Sequence, residues 1–300
     1  MKKLHLVEFI VAATVLFVLV TGLRLPRLQG QNKIAGMAKL WAPSSGVTSS
    51  TQNPLQVGIL HWYNANQTAS FALGTNPEGV AFDGQHLWVT NSGSNTVSEL
   101  RASDGDPLGT FTVGGVPVAV AFDGANIWVA SEGSNTVTKL LASSGATLGT
   151  FTVGTNPQGV AFDGANIWVA NKNDNTVTKL LAGSGATLGT FTVGNFPAAV
   201  AFDGANIWVA NQGGNTVTKL LASSGKTLGT FAVGNEPVAV AFDGANIWVA
   251  NATSTTVTKL LASSGATLGT FAVGKEPIGV AFDGANIWVA NYSSNTVSKL

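Results

Sequence analysis

The sequence predicts an all-β protein, a β-propeller of four-stranded blades, and three observations carry that prediction. The stretch Ala121–Ala130 (AFDGANIWVA) returns unchanged at 161–170, 201–210, 241–250 and 281–290, with a looser copy at 81–90, so the chain is a strict 40-residue repeat. Each copy holds four short runs of β-branched and aromatic residues, separated by Gly, Asp, Asn and Ser. Gly and β-branched residues also interrupt every 3.6-residue apolar stripe, which excludes an amphipathic helix in the repeat.

The unit from 117 to 154 serves as the type. Val118–Phe122 is an apolar run ended by Asp123-Gly124, a dipeptide suited to tight turns because both residues tolerate positive φ. Asn126–Ala130 is a second strand, and Ser131–Asn135 turns the chain into Thr136–Ala142. A turn at Ser143–Ala146 leads to Thr147–Val153, and Gly154–Pro157 passes to the next copy. In the second strand Ile127 and Val129 face one way while Trp128 and Ala130 face the other, so both faces are apolar and both need cover. Blades stacked around an axis supply it. Gly79, Ala119, Gly159, Ala199, Ala239 and Gly279 keep the first strand small, where inner strands crowd the axis.

The series Trp88, Trp128, Trp168, Trp208, Trp248 and Trp288 is read as packing between blades, because one identical indole per copy does not discriminate a ligand. Asp83, Asp123, Asp163, Asp203, Asp243 and Asp283 are read as turn residues, each followed by its Gly. Five complete units run from 77 to 274, and 277–300 adds three strands. Val57–Gly74 aligns without gaps on Val137–Gly154, sharing Val57, Leu60, Phe71 and Gly74. If Thr68–Leu73 supplies the missing outer strand, six blades close; seven would need an eroded copy hidden in residues 35–62.

The 300 residues are 45% hydrophobic and 10% charged, with 15 basic residues against 15 acidic ones, so there is no basic surface for nucleic acid. No cysteine is present, which excludes disulfides and thiolate metal sites. Residues 1–33 are expected to form a hydrophobic helix that acts as a signal peptide or membrane anchor, with Lys2 and Lys3 before the apolar run from Phe9 to Leu23. Leu4–Val11 also resembles the start of a mature type IV pilin, except that Lys3 stands where that family has Gly. Residues 34–56 read as a flexible tether and 57–300 as the propeller, which places the folded part in the cell envelope, anchored or secreted. Ser298-Lys299-Leu300 matches a peroxisomal address but repeats Thr138-Lys139-Leu140 of the unit.

The copies differ at few positions, and these fall together. Links between first and second strands, and between third and fourth, lie at one end and hardly vary; the opposite end varies in nearly every copy. The variable positions Glu78, Glu132, Lys172, Asp174, Phe196, Gln212, Glu236, Lys275, Glu276 and Tyr292 are the candidate ligand-binding residues, a mildly acidic set on a uniform frame. Relaxed drift at exposed turns is the competing account.

The segments Asn156–Asp163, Asn166–Asn171 and Asn175–Val177 resemble the NHL and YVTN classes of propeller repeat, over residues 57–300. That resemblance implies an exported or scaffold-like propeller; the classes include protein-binding modules, surface-layer components and a streptogramin lyase group. Lyases of that group use a His with acidic groups and a divalent metal on one face. His5, His61 and His86 lie outside the variable loops, so no such constellation is expected and no catalytic residue is assigned. Lactonase-like propellers hold a metal with carboxylates and amides near the axis, for which Glu78, Glu236 and Glu276 are the candidates, so Ca²⁺ or Mg²⁺ belongs only to that enzyme alternative. The expectation is a scaffold that binds a protein or polysaccharide partner, with no cofactor. The alternatives are a metal-dependent lyase or lactonase and a purely structural envelope component.

Overall fold

A computed structural model of the chain describes residues 70–300, and Leu73–Leu300 forms a six-bladed β-propeller. The expected N-terminal helix, the tether and residues 57–69 lie outside the described residues. Blade 1 comprises β1 (Pro77–Phe82), β2 (His86–Asn91), β3 (Thr96–Arg101) and β4 (Pro107–Thr112), paired antiparallel in sequence order. Blade 2 repeats this with β5 (Pro117–Phe122), β6 (Asn126–Ser131), β7 (Thr136–Leu141) and β8 (Thr147–Thr152). Blades 3, 4 and 5 follow as β9 (Pro157–Phe162) to β12 (Thr187–Thr192), β13 (Pro197–Phe202) to β16 (Thr227–Ala232), and β17 (Pro237–Phe242) to β20 (Thr267–Ala272). Blade 6 holds β21 (Pro277–Phe282), β22 (Ile287–Asn291) and β23 (Thr296–Lys299).

The alternation read in the second strand builds the core. Trp128, Ala130 and Val137 of blade 2 pack on Ile167, Val169 and Leu180 of blade 3, all fully buried. Ile127 and Val129, on the other face, pack against Trp88 and Val97 of blade 1. The Trp128 ring also meets Phe151 of its own blade at 5.7 Å, tilted by 32°, an arrangement repeated in four other blades. First strands of neighbouring blades approach closely: a Cβ on Gly159 would lie 2.8 Å from the Ala198 carbonyl oxygen. The small residue there is a steric requirement of the inner ring.

A second staple joins the blades. Lys139 Nζ, on a side chain almost wholly buried, donates to the carbonyls of Ala182 at 2.7 Å and Gly183 at 3.1 Å, and lies 5.1 Å from the Trp128 ring centroid. Lys179 and Lys219 do the same towards blades 4 and 5. Blade 6 differs, because no fourth strand lies beside β23 among the described residues. Residues 70–73 carry no strand, so the outer strand expected from Thr68–Leu73 is not formed in its described part; Thr68 and Ala69 lie outside it. Val297 is accordingly 39% exposed where Val137 is fully buried, and Trp288 is only half-buried.

Candidate functional site

The uniform end shows why its residues do not change. Asp123 Oδ1 accepts the backbone N–H groups of Ala125 and Asn126, at 2.9 and 2.7 Å. Its Oδ2 accepts the Trp128 indole N–H at 2.7 Å and the Asn126 amide at 3.0 Å. The carboxylate therefore fixes the turn and holds the core indole together. Burial pushes the carboxyls of Asp83, Asp123, Asp163, Asp203 and Asp243 up, but the indole and other hydrogen bonds outweigh it, so each lies below the ordinary value of 3.8. Asp283 is held low chiefly by the Trp288 bond. The Asp series is structural, as its turn chemistry implied.

At the variable end the backbone is equally regular, and its side chains are not. The residue before the proline of each first strand is Asn76, Val116, Asn156, Phe196, Glu236 or Glu276, and all six have left-handed φ values of 52, 53, 59, 52, 53 and 54°. Each carbonyl accepts the N–H of the residue after the second strand of its own blade: Ser92, Glu132, Lys172, Gln212, Ala252 and Tyr292 respectively. In four copies the N–H donates to an Asn side chain of the preceding blade, Asn95 to Val116, Asn135 to Asn156, Asn175 to Phe196 and Asn215 to Glu236, at 2.8–2.9 Å. A left-handed conformation suits Asn or Gly and costs other residues about 1–2 kcal/mol. Val116, Phe196 and Glu236 bear that strain held by partners on both sides, and Glu276 bears it with the pairing to Tyr292 of its own blade.

This geometry sorts the predicted residues. Phe196 and Glu236 are exposed on the left-handed position, Phe196 at 48%, while Glu276 is half-buried and accepts the Ser293 hydroxyl. Glu78 follows its proline instead of preceding it and accepts Ser92 Oγ at 2.8 Å, so it does not share the left-handed position of Glu236 and Glu276. Glu132 accepts Asn156 Nδ2 at 2.7 Å and Gln158 Nε2 at 2.8 Å, a polar bridge from blade 2 to blade 3. Asp174 accepts the Thr155 N–H at 2.7 Å, the task Ser94, Ser254 and Ser294 perform in other blades. It is a turn residue. Lys172, Gln212 and Tyr292 each donate the backbone N–H of the clamp, and Lys275 is exposed beside Glu276. Sequence reading missed Asn76, Val116, Asn156 and Gln158; the signal was a residue next to the proline, before it or, for Gln158, after it, that changes in kind from copy to copy.

The opposite end holds a His–acid contact that the sequence analysis did not assign. His86 Nδ1 lies 3.0 Å from Asp83 Oδ2 and 3.3 Å from Glu99 Oε1, so a His–acid cluster does exist, in a blade whose links depart from the uniform pattern. Burial pushes the Glu99 carboxyl up, opposed by His86. The exposed pairs of Arg101 with Asp104 and Asp106 stand at the same corner. The residues are close only because β2 and β3 pair there, with His86 opposite Arg101 and Trp88 opposite Glu99. Among the described residues no set of three His, Asp or Glu side chains is disposed to hold a metal ion.

No protein-family model matches the chain, and no curated protein matches it. Solved structures share its fold. A streptogramin B lyase is 18% identical over 76% of this chain and 84% of its own, with a TM-score of 0.64. Virginiamycin B lyase from Staphylococcus aureus is 16% identical, covering 75% of this chain and 83% of its own, with a TM-score of 0.62. A candidate 6-phosphogluconolactonase from Bacteroides uniformis is also 16% identical, over 77% and 82%, with a TM-score of 0.66. At these identities the likeness is one of fold.

Proposed function

We propose that the protein is a binding scaffold of the cell envelope, secreted or membrane-anchored through residues 1–33, that recognises a protein or polysaccharide through its variable end. The observation behind this reading is the left-handed clamp, one backbone geometry that presents Asn76, Val116, Asn156, Phe196, Glu236 and Glu276. Drift selected for stability alone would favour Asn or Gly at such a position. Strained Val, Phe and Glu there point to side chains kept for contact. Glu236 and Glu276 on neighbouring blades suit a cationic or hydroxyl-rich ligand, and exposed Val116 and Phe196 suit an apolar or sugar face.

The test is capture of envelope proteins and polysaccharides on the immobilised protein, compared with Glu78→Gln/Glu236→Gln/Glu276→Gln and with Phe196→Asn. Both variants should fold and bind the captured partner at least tenfold more weakly. Binding that is unchanged in both would remove the scaffold reading from this end.

A second reading, a metal-dependent lyase or lactonase, draws on the adjacent Glu236 and Glu276 and on the fold shared with such enzymes. Melting of the full chain in EDTA and in Ca²⁺ or Mg²⁺ separates the two, since a metal that binds only the native state raises Tm. A rise lost in Glu236→Gln/Glu276→Gln would favour the enzyme.

A further inference from the structure

A lysine faces the indole in blades 2 to 6, and blade 1 has Glu99 in its place, which leaves a place for a cation. In blades 2, 3 and 4 an ammonium group rests on two backbone carbonyls of the next blade, with Nζ–O distances of 2.7 and 3.1, 2.7 and 3.3, and 2.6 and 3.1 Å. Each lies 5.1 Å from the centroid of its blade's indole. In blade 1 the register partner of the indole is Glu99, as Lys139 is the partner of Trp128. The corresponding carbonyls belong to Ala142 and Ser143, and among the described residues no side chain donates to them. The Glu99 residue is 7% exposed, and its ionic neighbour is His86. By equivalence with the sister blades, the two carbonyls, the Glu99 and Asp83 carboxylates and the Trp88 indole border the place where those blades hold a positive charge; His86 lies between the two acids, and Arg101, opposite His86, is paired with Asp104 and Asp106.

We propose that this corner of blade 1 receives a primary ammonium group from solution, seated on the Ala142 and Ser143 carbonyls, against the Glu99 carboxylate and over Trp88. The ligand would enter beside Ser143, which is exposed, and past half-buried His86. The site lies at the end opposite the variable loops, so it is independent of the partner proposed above. A primary ammonium fits better than a metal ion, because the three sister sites hold that group by N–H donation and a cation–π contact. The ammonium could come from a free amine or from a lysine of a protein partner.

The experiment uses full-length protein with ¹⁵N-labelled tryptophan, following the Trp88 indole N–H resonance, assigned with Trp88→Phe. Methylammonium should shift it saturably, while tetramethylammonium, which has no N–H, should not. N-acetyl-lysine methylamide binding tighter than methylammonium would identify a protein lysine as the source; equal or weaker binding would identify a free amine. Glu99→Lys should fill the place from within, abolishing the shift and raising Tm by a few degrees, and Glu99→Gln should weaken binding at least tenfold. Absence of a saturable shift with either amine overturns the proposal, even if Glu99→Lys raises Tm. So does a shift caused by Ca²⁺, reversed by EDTA and not reproduced by amines.

Discussion

The two ends of the propeller hold equally regular turns, and they differ in what holds them. At the uniform end the turn is fixed by its own side chain: Asp123 caps two backbone N–H groups, the Asn126 amide and the indole at once, so a change there breaks all of these bonds. At the variable end the turn is held by the neighbours, through an Asn of the preceding blade and a backbone pairing with the same blade. The side chain of the held residue is left over. A fold can diversify where its backbone is clamped from outside, and this chain has done so in Val116, Phe196 and Glu236.

The largest expected effect lies in the uniform interior. Trp168→Ala should cost about 3–5 kcal/mol in denaturant unfolding, because it empties a fully buried site packed on Ile207 and Leu220. A loss under about 1 kcal/mol would mean that the blades do not depend on the indole.

Asp163→Ala should cost about 1–3 kcal/mol by leaving the Trp168 indole N–H and the turn N–H groups without their acceptor. Asp174→Ser, at the other end, should be nearly neutral, since Ser94 and Ser254 already do the same work. Equal effects of the two would erase the contrast between ends.

Acid provides a collective version of that test. The carboxyls of the Asp series titrate lower in the folded state than the ordinary 3.8, so their stabilisation is fully present above that value and is lost as pH falls through the depressed folded values. Melting temperature followed from pH 6 to pH 2 should hold at first and then fall, most steeply below about pH 4. A melting temperature that does not fall below about pH 4 would mean that the Asp series does not carry the acid dependence.

A small effect at the variable end has the opposite sign. Phe196→Asn or Val116→Asn should stabilise the protein by about 1 kcal/mol, by relieving left-handed strain at a clamped backbone. Urea midpoints that fall instead would show that these side chains serve the fold.

Much of this architecture was readable along the chain. Ile127 and Val129 against Trp128 and Ala130 announced two buried faces, and both faces are buried as the alternation required. Asp123-Gly124 announced its turn, where Gly124 has a φ of 98°. The candidate site was readable only as a set of variable positions. Glu236 stood apart from Asp174 only by its proline, and nothing in the sequence showed that Asp174 caps a turn while Glu236 is held outward, because both are acids in exposed links. The first-blade cluster was hidden for another reason: His86 and Glu99 look like unrelated departures from Asn126 and Lys139 until β2 and β3 pair.

The sequence by itself determined the repeat length, the strands, the tight turns and the faces that must be buried. These depend on local propensity and on a side-chain alternation with a period of two. Tertiary structure alone decided which Asn holds which pre-proline residue, which carbonyls receive each lysine and where that lysine is missing. Those contacts join residues about 20 to 45 positions apart. They exist only once the twist of each sheet has stacked one blade on the next, a geometry that no single repeat contains.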